Sequence, residues 1–85
     1  MVKFKIVFKK STIKEINKIP SDYLKKILFK IENLATNPKP IGYSKLTNKE
    51  LFRIRVGKYR ILYEIKINLL TIIVVKVGHR KDVYS

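Results

Sequence analysis

The spacing of apolar and polar residues changes along the chain. Residues 2–8 largely alternate between apolar positions and lysines, which predicts a first β-strand. From residue 13 to residue 35 the apolar residues recur every three or four positions, which predicts two helices separated at Pro20. After residue 50 the period returns to two, as in strands. The predicted order is therefore one strand, two helices and then further strands.

The predicted helices also carry start and stop signals. Thr12 and Glu15 have the spacing of a capping box, in which both side chains bond to backbone N–H groups at the start of a helix. Pro20 ends this helix, and Ser21 is a suitable N-cap for the second. The second helix is expected to stop before Pro38, because proline disfavours helical conformation in the residue that precedes it.

Three strands are predicted in the second half of the chain. Residues 52–56 and 59–65 both alternate, and Gly57 with Lys58 between them is typical of a tight hairpin turn. After a further turn, residues 69–77 form an almost continuous apolar run, as expected for a strand covered on both faces. The long segment before residue 50 is predicted to be a loop.

Helices that come together and strands that come together are typical of the α+β class. We therefore predict one domain spanning residues 1–85, with the order β-α-α-β-β-β and a helical hairpin packed on a largely antiparallel sheet of four strands. The position of the first strand within the sheet does not follow from the pattern.

The net charge of +14 adds a second constraint. Charge of this size opposes the compact state unless an acidic partner is bound. Nucleic acid is the first candidate, an acidic protein the second and a membrane surface the third. The chain has no cysteine, so neither a disulfide framework nor a thiolate metal site is available.

No apolar run approaches the roughly 20 residues that a membrane-spanning helix requires. The N-terminal residues are interrupted by lysines and do not fit a secretory signal. A soluble, cytoplasmic protein is therefore expected.

The arginines are unevenly distributed. The chain has sixteen lysines along its length and four arginines, all in the C-terminal half: Arg53, Arg55, Arg60 and Arg80. Genome composition can account for many lysines, but it does not explain where the arginines lie. The arginine guanidinium is a planar fork that binds phosphate in a bidentate manner, whereas lysine is a mobile point charge. Alternation places Arg53 and Arg55 on one face of their strand, which indicates a phosphate-binding surface.

Several kinds of catalytic site are disfavoured. The six acidic residues are dispersed and form no pair for a two-metal centre. His79 is the only histidine, so two histidines cannot act as base and acid. Phosphate-cradling glycine loops and nucleophilic triads also have no match. Cleavage of RNA without a metal remains possible, since RNA supplies its own nucleophile in the 2′-hydroxyl group.

Such a reaction needs charge stabilisation and proton transfer. Arginines aimed at the phosphate would stabilise the transition state. Tyr84 is a candidate proton acceptor, because a neighbouring guanidinium favours the phenolate; it can equally be an aromatic residue that docks the C-terminus. His79 can likewise be a surface residue, a local hydrogen-bonding group, a catalytic group or a phosphate ligand.

Two runs near the C-terminus resemble the RelE toxins of the RelE/ParE superfamily. They are residues 53–64, RIRVGKYRILYE, and residues 77–84, VGHRKDVY. Residues 34–38, LATNP, and the pair Lys45 and Leu46 are also similar. The resemblance implies a RelE-like fold and a toxin of a type II toxin–antitoxin system that enters the ribosomal A site and cuts mRNA there by 2′-hydroxyl attack. It also implies an acidic, RelB-like antitoxin that wraps the toxin in a hetero-oligomer, and no metal or other cofactor.

The resemblance also implies roles for individual residues. Arg60 would stabilise the transition state, Arg80 would assist the leaving group or bind the phosphate, and Tyr84 would be the general base. Two basic strand positions, lysines in the best-known member, fall on Arg53 and Arg55, which should bind phosphate because arginine does not release its proton. Further RNA contacts are expected at Lys58, His79 and Lys81.

Other interpretations stay open at this point. Some relatives use a glutamate and a late histidine as an acid–base pair; His79 fits the histidine, and no glutamate near Ser44 clearly matches the other. A ParE-like inhibitor of DNA gyrase is the first alternative function, although ParE-type sequences generally lack the basic strand combined with a late tyrosine. A non-catalytic nucleic-acid-binding module is the second alternative.

Overall fold

A computed structural model of the protein describes residues 3–46 and 50–79. The elements in these ranges are β1 (Lys5–Phe8), α1 (Lys10–Ile16), α2 (Ser21–Leu34), β2 (Ser44–Lys45), β3 (Phe52–Val56), β4 (Tyr59–Lys66), a 3-10 turn (Ile67–Leu69) and β5 (Thr71–His79). Neither helix is long and apolar enough to cross a membrane.

The strands form one mixed sheet in the order β1-β5-β4-β3-β2. β1 lies beside β5 and runs parallel to it, whereas the other neighbours are antiparallel. The predicted α+β fold and its helical hairpin on the sheet are confirmed. The predicted number of four strands is wrong, because β2 adds a fifth strand within the predicted loop. A strand of two residues is too short to produce an alternating pattern.

The hydrophobic core lies between the helices and one face of the sheet. Three residues of α2, Ile27, Ile31 and Leu34, are buried against the core residues of β3, β4 and β5. Ile16 of α1 packs at the margin of the same cluster. The central strand residue Ile61 is 0% exposed. Both helices therefore cover this face, called here the helix face.

Thr12 and Glu15 do not form the predicted capping box. α1 begins at Lys10, and its N-terminus has no side-chain cap. Thr12 Oγ1 instead donates a hydrogen bond of 3.0 Å to the Val74 carbonyl, and Glu15 Oε1 accepts one of 3.1 Å from the Val77 N–H. β1 pairs with β5 only as far as Val74, so Glu15 satisfies a backbone N–H beyond the end of β1. Thr12 adds a second bond to the Val74 carbonyl, which also accepts the Lys9 N–H.

The predicted N-cap at Ser21 is also wrong. α2 begins at Ser21 itself, which places Pro20 at the cap position, and no side chain caps this helix end. Proline suits the start of a helix, where a missing N–H is tolerated.

A bulge in β5 changes which residues face the core. Leu62 pairs with Lys76, whereas the next residue of β4, Tyr63, pairs with Val74, so Val75 has no partner in β4. Before the bulge the even-numbered residues of β5 are buried, and after it the buried residue is Val77. An extra residue of this kind re-aims the side chains that follow it.

Tyr63 connects the core to the segment after α2. Its side chain is 0% exposed, and its hydroxyl donates a hydrogen bond of 2.6 Å to the Pro38 carbonyl. Burial, with a smaller contribution from Tyr43, raises the pKa of Tyr63 to about 12. The phenol therefore stays neutral in the folded protein.

Candidate functional site

The β3–β4 hairpin places three arginines on the face of the sheet opposite the helices. In its register Ile54 pairs with Ile61 in the core, and the next pair is Arg55 with Arg60. Arg53, two residues before Arg55, shares its side of β3, as the sequence predicted. This surface is called here the arginine face.

Arg60 is buried although it lies on the arginine face. The residue is only 6% exposed, and its Nη1 donates a hydrogen bond of 3.4 Å to the Tyr59 carbonyl. Its partner in β5 is Gly78, which contributes no side chain beside the guanidinium. Burial of a charged group is costly unless it is compensated. A cation held at a buried position beside a glycine is a suitable partner for an incoming anion.

Arg55 is exposed and is the direct cross-strand partner of Arg60. Directly opposite residues in an antiparallel pair have their Cβ atoms only about 4.5–5.5 Å apart, and like charges at such positions are destabilising. A phosphate bound by both guanidinium groups would convert this repulsion into attraction. The pair therefore has the electrostatics of an anion site.

Arg53 is oriented by a residue that the sequence analysis did not single out as functional. Its Nε donates a hydrogen bond of 3.1 Å to Ser44 Oγ, and the two residues are partners between β2 and β3. This bond restrains the orientation of the Arg53 guanidinium. No local signal in the sequence marks Ser44, because β2 is only two residues long.

Lys58 and His79 lie at the end of the sheet where β4 begins and β5 ends. Lys58 is exposed in the hairpin turn, where Gly57 has a positive φ of 57° that glycine adopts readily. His79 is the β5 partner of Tyr59, and their ring centroids are 6.1 Å apart. This pairing places His79 on the helix face, because of the bulge at Val75. The predicted RNA contacts are thus divided between two faces.

The remaining predicted residues lie outside the described ranges. They are Arg80, Lys81 and Tyr84. Within residues 3–46 and 50–79, no group of three or more His, Cys, Asp or Glu side chains could hold a metal ion.

Two lysines of the described residues form ion pairs with glutamates. Lys76 Nζ contacts Glu15 Oε2 at 2.9 Å, and Lys45 Nζ contacts Glu50 Oε1 at 3.5 Å. The second pair is exposed to solvent and contributes little to stability. Every lysine of the described ranges except Lys76 is exposed, so the lysine charge lies on the folded surface.

Comparison with known proteins gives consistent results. Residues 6–84 match the family model described as ParE toxin of type II toxin-antitoxin system, parDE. Toxin RelE3 of Methanocaldococcus jannaschii is 36% identical and aligns over 95% of this chain and 96% of its own length. Toxin RelG of Mycobacterium tuberculosis is 29% identical over 95% of both chains.

Solved structures show the same arrangement of elements. The RelB–RelE antitoxin–toxin complex from Methanococcus jannaschii contains a chain with a TM-score of 0.76 and 30% identity, covering 93% of this chain and 95% of that one. The archaeal RelE–RelB complex from Pyrococcus horikoshii gives a TM-score of 0.82 at 23% identity, covering 94% and 97%. The second likeness supports the fold alone.

Proposed function

The chain belongs to the RelE family of the RelE/ParE superfamily of type II toxin–antitoxin toxins, and we propose that it cleaves messenger RNA in the A site of the ribosome. The observation that best supports this activity is the cross-strand pair of Arg55 and buried Arg60 on a face that also carries Arg53. This arrangement suits an RNA backbone phosphate. A messenger RNA target implies that the protein acts in the cytoplasm.

The proposed reaction uses the RNA's own nucleophile. The 2′-oxygen attacks the adjacent phosphorus and loses its proton to a base, while the bond to the 5′-oxygen breaks and that oxygen gains a proton. Negative charge builds up on the non-bridging phosphate oxygens in the transition state. Arg60 would stabilise this charge from a fixed, buried position, an effect of about 10²–10³-fold for one such group.

Arg53, Arg55 and Lys58 would hold the RNA backbone and not transfer protons. Arginine remains protonated in proteins and has no acceptor atom. Ser44 would restrict Arg53 to one orientation through its 3.1 Å hydrogen bond. The phosphates of a bound RNA strand would then contact these cations in a defined order.

The proton transfers are assigned by family resemblance. We propose Tyr84 as the general base, Arg80 as the residue that assists the leaving group, and Lys81 as a further backbone contact. A positioned base contributes about 10²–10⁴-fold. These three residues follow β5 directly in the sequence, and β5 ends beside Arg60.

We also propose a RelB-like antitoxin as the physiological partner, in a toxin–antitoxin hetero-oligomer. The M. jannaschii structure at 30% identity is described as an antitoxin–toxin complex. The net charge of +14 would favour a partner with an acidic surface.

Cleavage can be tested with purified protein and ribosomes programmed with a defined message. We expect cuts within the A-site codon, and we expect Arg60→Ala to reduce the rate about 10²–10³-fold. Lys14→Ala is the matched control, because Lys14 is exposed on α1 and lies apart from the three arginines of β3 and β4. Absence of codon cleavage, or full activity in a folded Arg60→Ala protein, would contradict the proposal.

Inhibition of DNA gyrase is the second candidate, because the matching family model is named for ParE. The relative at 36% identity is named as a RelE toxin, which favours the first candidate. A supercoiling assay separates them: loss of gyrase activity at toxin concentrations that leave ribosome-bound mRNA intact would establish the second function.

A further inference from the structure

A second concave site lies on the helix face, at the same end of the sheet as Arg60. It is a pocket of about 280 Å³, called here the helix-face pocket. Its lining includes Glu15, Lys18 and Ile19 on the helix side and Tyr59, Gly78 and His79 on the sheet side. The volume is just below the range of about 300–1,000 Å³ typical of drug-sized ligands, which suits a single ring system.

Two aromatic rings form a fixed corner of this pocket. Tyr59 and His79 are cross-strand partners whose rings are nearly perpendicular, at 78°. On another side Tyr59 contacts the Tyr23 ring at a centroid distance of 5.2 Å, so its position is restrained. Unpaired RNA bases commonly stack on aromatic side chains of this kind.

Glu15 provides an oriented acceptor in the pocket. One carboxylate oxygen accepts the Val77 N–H at 3.1 Å, and the other accepts Lys76 Nζ at 2.9 Å. A carboxylate has about four acceptor positions, so these two bonds leave capacity for a ligand. Exocyclic amino groups of adenine, cytosine and guanine can donate to it. Uracil has no amino group; its single N3–H donor lies between two carbonyl oxygens that the carboxylate would repel.

The helix-face pocket and the arginine face meet at one end of the sheet. Tyr59 directly precedes Arg60 in β4, and Gly78 directly precedes His79 in β5. Adjacent strand residues point to opposite faces, so one step along each strand leads from the phosphate site to the pocket. An RNA strand held at Arg60 can therefore pass over the strand ends and turn its next base towards Tyr59 and His79. Lys18, exposed at the rim, is placed to meet the backbone of that nucleotide.

We propose that the helix-face pocket binds one base of the RNA, adjacent to the phosphate held by Arg60, and prefers bases with an exocyclic amino group over uracil. The inference rests on the proposed function to the extent that RNA is the ligand. In this arrangement His79 contacts RNA through its ring, which gives the residue a role separate from phosphate binding.

The test is an affinity measurement without ribosomes. The probe is a fluorescent RNA trinucleotide in which 2′-O-methyl groups remove the nucleophile. Each base in turn is replaced by an abasic nucleotide. We expect one replacement to weaken binding to the wild-type protein about ten-fold. The same replacement should have little effect in His79→Ala, because the ring that stacks on the base is already missing.

Two further variants sharpen the test. Lys14→Ala, exposed on α1 and outside the pocket lining, should retain the full ten-fold loss. Glu15→Gln replaces one acceptor oxygen by an amide donor, so the preference for amino-bearing bases over uracil should shrink or reverse. Thermal unfolding of each variant checks that it is folded.

The proposed base-binding role of the pocket would be contradicted if, at every position, the abasic replacement weakened binding equally in the wild-type protein and in His79→Ala. No measurable binding of the trinucleotide at millimolar concentration would also overturn it. Codon mapping on ribosomes decides the proposed function separately. A base-dependent affinity without ribosomal cleavage would support the pocket and contradict the mRNA cleavage.

Discussion

Two adjacent residue pairs of the β3–β4 hairpin, one on each face, are of opposite kinds, although their residues alternate along the same strands. On the helix face Ile54 and Ile61 are partners and are 2% and 0% exposed. On the arginine face the next pair is Arg55 and Arg60. The first pair stabilises the fold by removing apolar surface from water. The second pair places like charges side by side, which opposes folding.

This difference shows how a small domain separates stability from function. Consecutive residues of one strand, Arg60 and Ile61, are both buried, but only Ile61 is part of the hydrophobic core cluster. Local conflicts with the rules of folding are expected where a protein binds its substrate. The arginine face is such a conflict, and the helix face compensates for it.

The largest loss of stability is expected from a substitution on the helix face. Ile61→Ala removes a fully buried side chain at the centre of β4 and leaves a cavity, so the free energy of unfolding should fall by about 2–5 kcal/mol. Domains of this size have a total stability of about 5–15 kcal/mol. Urea denaturation followed by circular dichroism measures the loss.

The matched control is the preceding residue on the other face. Arg60→Met keeps an unbranched side chain and removes the charge opposite Arg55, but it also gives up the hydrogen bond to the Tyr59 carbonyl. We expect a loss in unfolding free energy of about 0.5–1.5 kcal/mol, clearly smaller than that of Ile61→Ala. A loss as large as that of Ile61→Ala would identify Arg60 as a structural residue and remove the distinction between the faces.

The next effect is the pH dependence of the protein's stability, which we expect to come from Tyr63 on the helix face. The pKa of Tyr63 is about 12 in the folded protein, against 10.0 for an unperturbed tyrosine. Between these values the unfolded chain releases the phenol proton and the folded protein keeps it, so stability is fully present below pH 10 and falls as the pH rises. The loss by pH 12 should be roughly 2–3 kcal/mol.

Tyr63→Phe isolates this contribution, because the variant retains every lysine that titrates in the same range. Near pH 8 it should be less stable than the wild type by about 1 kcal/mol, since the bond to Pro38 is lost. By pH 12 that difference should disappear or reverse. Parallel stability curves for the two proteins would show that Tyr63 does not titrate differently in the folded state.

The difference between the helix face and the arginine face also explains which features the sequence could predict. Alternation in β3 and β4 was informative because one face is continuously buried, and a shift of one residue would expose every core side chain. The helical stripe of α2 was informative for the same reason. The arginine face could be located by parity alone, without knowledge of the tertiary structure.

Other features depend on contacts between distant parts of the chain. The place of β1 beside β5 and the bonds from Thr12 and Glu15 to β5 join residues about 60 positions apart. The bulge at Val75 lies within a run of apolar residues, where both faces are similar and no alternation marks the shift. It decides that His79 lies on the helix face, which the sequence did not predict.

A smaller effect should appear when an anion occupies the arginine face. Sulfate at about five times its dissociation constant stabilises a one-site protein by about 1 kcal/mol. Arg55→Ala removes both the like-charge repulsion and half of the site, so the gain from sulfate should be smaller than in the wild type. Thermal unfolding in sulfate and in chloride at equal ionic strength measures the difference. An equal gain in both proteins would indicate only the general salting effect of sulfate.

The smallest effect is expected from Ser44, whose Oγ accepts the hydrogen bond of Arg53. Ser44→Ala should weaken binding of the uncleavable trinucleotide about two- to ten-fold, the equivalent of one hydrogen bond of about 0.5–1.5 kcal/mol. Ser44→Thr keeps the hydroxyl group and should bind as the wild type does. Both variants should unfold at nearly the wild-type urea concentration, because Ser44 is only half-buried near the sheet edge. If Ser44→Ala binds RNA normally, Arg53 is oriented without Ser44, and the arginine face is less preorganised than its geometry indicates.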